Sequence, residues 1–160
     1  MIKPNSLITV VFLLVFILSA CTEETSTDNG SEENDKEEEA EAISIDGIVY
    51  ALNPVSISAE NTVYAFTITN ENDEEKELSF TTSQRYEYEL RDQDDELIKR
   101  FSDDMAFMQV LEDIPLPPGE ELSYELKLPS LEPGKYTLTA HSVAKGLSGN
   151  QVTAVFTVDE

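Results

Sequence analysis

The chain has 160 residues, with 33 Asp and Glu against 10 Lys and Arg, a formal net charge of −23, and one cysteine. So acidic a chain repels nucleic acid and anionic headgroups, whose recognition needs Lys and Arg, and nucleic-acid binding is set aside. A single thiol allows no intrachain disulfide and no thiolate zinc site, so stability must come from an apolar core.

Residues 1–20 carry Lys3, an uncharged apolar run from Leu7 to Leu18, and the small residues Ser19 and Ala20 directly before Cys21. That order is the order of a secretory signal peptide, and the apolar run is too short to cross about 30 Å of hydrocarbon. Leu18-Ser19-Ala20-Cys21 resembles the bacterial lipobox. The resemblance implies cleavage between Ala20 and Cys21, diacylglycerol on the Cys21 thiol, and a lipid-anchored protein on the extracytoplasmic face of the cell membrane. Two acyl chains at about 0.8 kcal/mol per buried methylene anchor stably where one does not.

Residues 21–41 follow with ten acids, the single base Lys36 and no large apolar side chain. Such a segment cannot bury enough surface to offset the entropy of ordering its backbone, so a disordered acidic tether is expected.

From Ile43 the pattern changes to period-two alternation, the signature of strands with one buried face. Tyr64, Phe66 and Ile68 share a face; Tyr86, Tyr88 and Leu90 interleave with Arg85, Glu87, Glu89 and Arg91. Leu122, Tyr124, Leu126 and Leu128 repeat the pattern, as do Tyr136, Leu138 and Ala140, and finally Val152, Ala154, Phe156 and Val158. Turn chemistry separates these runs at residues 70–73, 92–95, 117–119 and 132–134, rich in Asn, Asp, Pro and Gly. Seven or more short strands over residues 42–160 predict an all-β domain, an antiparallel immunoglobulin-like β-sandwich; a closed barrel is the alternative. Residues 102–113 are the least regular, fitting either a helical turn or a bulged strand, and residues 144–150 read as a Gly-flanked hairpin loop.

Catalytic chemistry finds little footing. His141, the single histidine, falls on the polar face of its strand, and no Gly-x-Ser-x-Gly elbow is present. The expectation is a non-enzyme without cofactors. Asp92, Asp94 and Asp95 are weak calcium candidates, since hard oxygen ligands suit that ion, but they lack the central glycine of an EF-hand loop and read first as a solvated hairpin tip. Met105, Met108 and His141 are soft copper-type donors in principle, yet scattered methionines read as packing.

The ordered motifs resemble one family. They are Leu78-Ser79-Phe80, Thr82-Ser83-Gln84-Arg85-Tyr86-Glu87-Tyr88, Arg91-Asp92, Lys99-Arg100-Phe101-Ser102, Met105-Ala106-Phe107, Leu116-Pro117-Pro118-Gly119-Glu120 and Pro133-Gly134-Lys135-Tyr136-Thr137. Together they are similar to the BsuPI-type intracellular proteinase inhibitor domain over roughly residues 60–140. Phe101 stands in the stretch where the family commonly carries tryptophan. The resemblance implies an immunoglobulin-like sandwich and inhibition of a subtilisin-type serine protease, here an extracellular one given the expected export. An inhibitor presents an extended segment to the cleft with a large apolar side chain in the specificity pocket. Phe107, Met108 and Leu147 are the candidate contacts. Large apolar residues are usually buried, so Phe107 and Met108 are expected to pack inward and Leu147 to be the most exposed. Two alternatives stand beside the inhibitor: a non-inhibitory envelope scaffold that binds a protein partner, and a weak calcium- or ligand-binding module.

Overall fold

A computed structural model describes residues 41–147 and 150–160. The signal peptide, Cys21 and all but the last residue of the expected tether lie outside the described residues.

The first strands, β1 (Glu41–Ile45) and β2 (Ile48–Ser56), form a hairpin closed by Asp46-Gly47, with Ile45 paired to Ile48. Both turn residues have positive φ, 50° and 72°, the requirement of a type I′ turn whose twist matches that of its strands. β3 (Val63–Asn70) pairs with β2 and, on its other side, with β8 (Glu121–Lys127), both antiparallel. Pro54 is tolerated in β2 because the pairing with β1 ends at Leu52, leaving no partner there for a missing N–H. The first sheet therefore runs β1-β2-β3-β8.

The second sheet runs β10-β9-β5-β6, built from β5 (Tyr86–Arg91), β6 (Leu97–Arg100), β9 (Gly134–Ser142) and β10 (Val152–Val158). A two-stranded ribbon, β4 (Lys76–Thr82) with β7 (Gln109–Leu116), completes the set. β8 returns to β3 after the chain has crossed to the other sheet, a Greek-key route, and the separate sheets set the closed barrel aside. The result is the all-β sandwich of immunoglobulin-like order expected from the alternation, with β1 and the ribbon as additions.

Tyr50, Leu52, Phe66, Ile68 and Leu126 of the first sheet meet Tyr88, Leu90, Leu138, Ala140, Val152 and Phe156 of the second in one buried cluster, which Leu78, Phe80 and Leu116 of the ribbon join. Each large apolar side chain so buried contributes about 1.5–3 kcal/mol relative to exposure. Phe156 lies between Tyr64 and Tyr136, ring centroids 5.5 and 5.6 Å away.

One end of the sandwich is tied by a polar knot. Asn70 is fully buried, and its side-chain amide donates to the carbonyls of Glu74 and Leu116, both at 2.8 Å. Its Oδ1 accepts from the Asn72 backbone and side chain at 3.0 Å, and the Asn72 amide also donates to the Asp46 carbonyl at 3.0 Å. Three turns are thereby joined: β1–β2, β3–β4 and β7–β8. A Cβ on Gly47 would sit 2.4 Å from Asn72 Oδ1, so glycine is required there by close approach as well as by φ.

Candidate functional site

An irregular stretch leads from the second sheet to the ribbon. A short 3₁₀ turn at Phe101–Asp104 directly follows β6, and residues 105–108 run on to β7. Both readings of residues 102–113 hold in part: a helical turn first, then a strand with a register irregularity where Phe80 pairs with Glu112 but Thr82 with Gln109.

This stretch is pinned from below. Phe101 stacks on Tyr86 at 4.6 Å and touches Tyr88 at 5.6 Å and Phe107 at 5.9 Å, while Tyr86 continues to Tyr124 at 5.4 Å. Offset and tilted aromatic pairs of this kind add about 0.5–1.5 kcal/mol each beyond buried area. The Ser102 amide donates to Glu87 Oε1 at 3.2 Å, which also accepts from Tyr88 N. Beneath the turn, Glu89 accepts from Arg100 at 2.7 Å and from Arg91 at 2.9 Å. Hydrogen bonds from the two guanidiniums, Arg100 foremost, hold the Glu89 carboxyl below its ordinary range.

At Met108 the backbone is held at two points by one residue. Its N–H donates to Ser83 Oγ at 3.1 Å, and its carbonyl accepts from Ser83 N at 2.9 Å. Arg85 supports the same corner. It donates to the Thr82 carbonyl at 2.7 Å, pairs with Glu112, and places its guanidinium over the Phe80 ring at 4.6 Å.

On this fixed backbone the side chains face outward. Met108 is 71% exposed and Leu111 85%, and Met105 and Val110 join them as exposed apolar groups. Thr81, Gln109, Val110 and Leu111 line a shallow groove of about 410 Å³. β7 pairs with β4 on one side, and no strand among the described residues pairs with its other edge. Edge placement also explains Pro115 within it.

The three expected contact residues part company. Met108 is exposed rather than packed, which corrects the base-rate expectation; its backbone is held by Ser83 and its side chain has no place in the core cluster. Phe107 is half-buried against Phe101, as packing would have it. Leu147, expected to be the most exposed, is half-buried against the core. It lines, with Ile45, Ile48, Tyr50 and Leu78, a cavity of about 240 Å³. Burial pushes the Tyr50 phenol in that wall up to about 12. Met105, Val110 and Leu111 were not singled out as contacts.

Asp92, Asp94 and Asp95 form the β5–β6 hairpin tip. Asp92 Oδ1 accepts the backbone N–H of Asp94 and of Glu96, both at 2.9 Å, so this carboxylate caps its own turn. Asp95 faces Arg91 at 3.8 Å. Among the described residues no group of three or more His, Cys, Asp and Glu could hold a metal ion.

The sequence profile of the BsuPI family, described as intracellular proteinase inhibitor, matches residues 52–147. The chain belongs to the BsuPI family. The match spans β2 through β9 and takes in the Ser83 hold, the aromatic stack and the exposed segment at residues 105–111. It also brings a correction. The BsuPI description is of an intracellular inhibitor, which contradicts the extracytoplasmic location expected from residues 1–21. That expectation rested on a short N-terminal pattern alone.

No curated protein matches the chain. Among solved structures, β-glucosidase 3B from Thermotoga neapolitana in complex with glucose is similar at 18% identity and a TM-score of 0.39, over 68% of this chain and 15% of that one. The β-glucosidase EmGH1 from Erythrobacter marinus gives 17% and 0.38, over 69% and 15%. The BsuPI chain thus spans about 15% of the length of these enzymes, and no activity is taken from them.

Proposed function

We propose that this BsuPI protein is a non-enzymatic inhibitor of a subtilisin-type serine protease, and that residues 105–111 make the contact. The observation that supports this most is the two-point hold of Ser83 on Met108 beneath an exposed side chain. Holding a loop in its bound conformation removes ordering entropy from association, and large exposed apolar groups supply the contact energy. Met105, Met108, Val110 and Leu111 are such groups, carried on a segment whose other side is stapled by Phe107. The hold also bears on how the contact is made. With the Met108 carbonyl and amide both engaged by Ser83, attack at that carbonyl would have to break the hold, so the segment docks through its side chains and remains uncut.

The full chain is titrated against subtilisin-type proteases, following residual activity and the integrity of the inhibitor. Near-equimolar loss of activity with the chain intact supports the reading. Undiminished activity, or digestion of the chain, rejects it for that protease class, and crosslinking would then test the scaffold alternative. Calcium binding is the weaker reading, because Asp92 already serves its own turn; a calcium-dependent rise in melting temperature would revive it.

Membrane attachment through Cys21 is a separate proposal supported by the lipobox-like residues Leu18 to Cys21. Metabolic labelling with a fatty acid, lost in Cys21→Ser, tests it.

A further inference from the structure

The proposed contact segment carries the two methionines of the described residues, and both are exposed, Met105 by 50% and Met108 by 71%. Neither belongs to the buried core cluster, and the backbone under each is fixed: Met105 N donates to the Ser102 carbonyl at 3.2 Å, and Ser83 holds Met108. Thioethers in this position meet solvent oxidants freely. The chain offers one cysteine in all, outside the described residues, so within the folded domain these two sulfurs are the readily oxidised ones.

We infer that Met105 and Met108 form a peroxide-sensitive modification site that switches off protein binding without unfolding the domain; this rests on the proposed inhibitory contact. A thioether sulfur attacks one peroxide oxygen and the O–O bond breaks. Sulfur gives up two electrons and gains an S–O bond, while the second peroxide oxygen leaves as water after proton transfer. An apolar, polarisable side chain becomes a polar, chiral sulfoxide. In a contact built from apolar side chains, the new dipole must then be desolvated against an apolar pocket, which opposes binding. The fold is untouched because Phe107, not either methionine, packs the segment onto Phe101.

The test treats the full chain with hydrogen peroxide, maps sulfoxides by peptide mass, and measures inhibition and melting temperature before and after. The expected result is oxidation at both methionines, an unchanged melting temperature, and inhibition weakened roughly tenfold or more, equivalent to about 1.4 kcal/mol. The double variant Met105→Leu and Met108→Leu is compared only with itself, and whatever inhibition it shows untreated should be unchanged by peroxide. Full inhibition by a chain shown to carry both sulfoxides overturns the switch, as does equal peroxide sensitivity in the double variant. Absence of inhibition by the untreated chain is a different outcome: it removes the contact reading itself, and the switch falls with it.

Discussion

The Asn70 knot and the segment at residues 105–111 are both irregular backbone, yet they are put together in opposite ways. At the knot, polar groups turn inward and are satisfied: Asn70 is fully buried and its side chain makes four hydrogen bonds, which together with the Asn72 bond to the Asp46 carbonyl join three turns. In residues 105–111, polar groups fix the backbone from beneath while apolar side chains are left in water. Leaving an unsatisfied polar group inside is costly, so the first arrangement serves stability. Exposed apolar groups on a fixed support contribute little to stability and become useful when a partner covers them. The comparison teaches that the interaction surface is to be sought where the chain keeps its shape but hides nothing.

The largest effect should come from titrating the tyrosines of the core and of the aromatic stack beneath residues 105–111. Burial holds the Tyr50 phenol near 12 against an ordinary value of 10.0, and raises Tyr86, Tyr88 and Tyr124 as well. A phenol whose native pKa lies above its unfolded one contributes stability that is complete below pH 10 and lost as pH climbs through 12. Melting temperature should therefore fall steeply across that window, and less steeply in Tyr50→Phe; equal slopes would break this part of the account.

Asn70→Ala is expected to cost about 2–4 kcal/mol, because it strands the Leu116 carbonyl at a buried site and removes part-buried bonds to the Glu74 carbonyl and the Asn72 amide. Denaturant unfolding measures it, and inhibition per folded molecule should stay the same. Gly47→Ala should cost about 1–3 kcal/mol through positive φ and collision with Asn72; a neutral result would show that the knot can give way. Ser83→Ala should cost only about 1 kcal/mol, since it removes a partly exposed hydroxyl acceptor while its backbone bond to Met108 remains. Here the comparison sharpens: this small loss of stability should come with a clear loss of inhibition, which the costlier Asn70 change should not produce.

Much of the sandwich was readable from alternation, because one face of each strand is buried. Tyr88 and Leu90, Leu138 and Ala140, and Val152, Ala154, Phe156 and Val158 all fall on the inward face their period assigns. The Asp46-Gly47 turn is also written locally, but it lies at the start of the alternating pattern, with only the short β1 before it to mark a hairpin. The ribbon was not readable: its strands are far apart in sequence and β7 is interrupted by an irregularity opposite Thr81, which breaks the period. The contact surface was half readable. Met108 could be named from residue type, yet its exposure depends on Ser83, 25 residues away, a contact no local pattern encodes. Leu147 was misplaced because flanking glycines signal a loop but not what the loop packs against.

The central claim is that exposed apolar side chains on a fixed segment make the inhibitory contact. Its most direct measurement compares the full chain with Met108→Asp in parallel protease titrations and thermal melts. The account expects unfolding free energies within about 0.5 kcal/mol of each other, and inhibition weakened by roughly 30-fold, as for a residue contributing about 2 kcal/mol to an interface. Equal inhibition by the two proteins would contradict it.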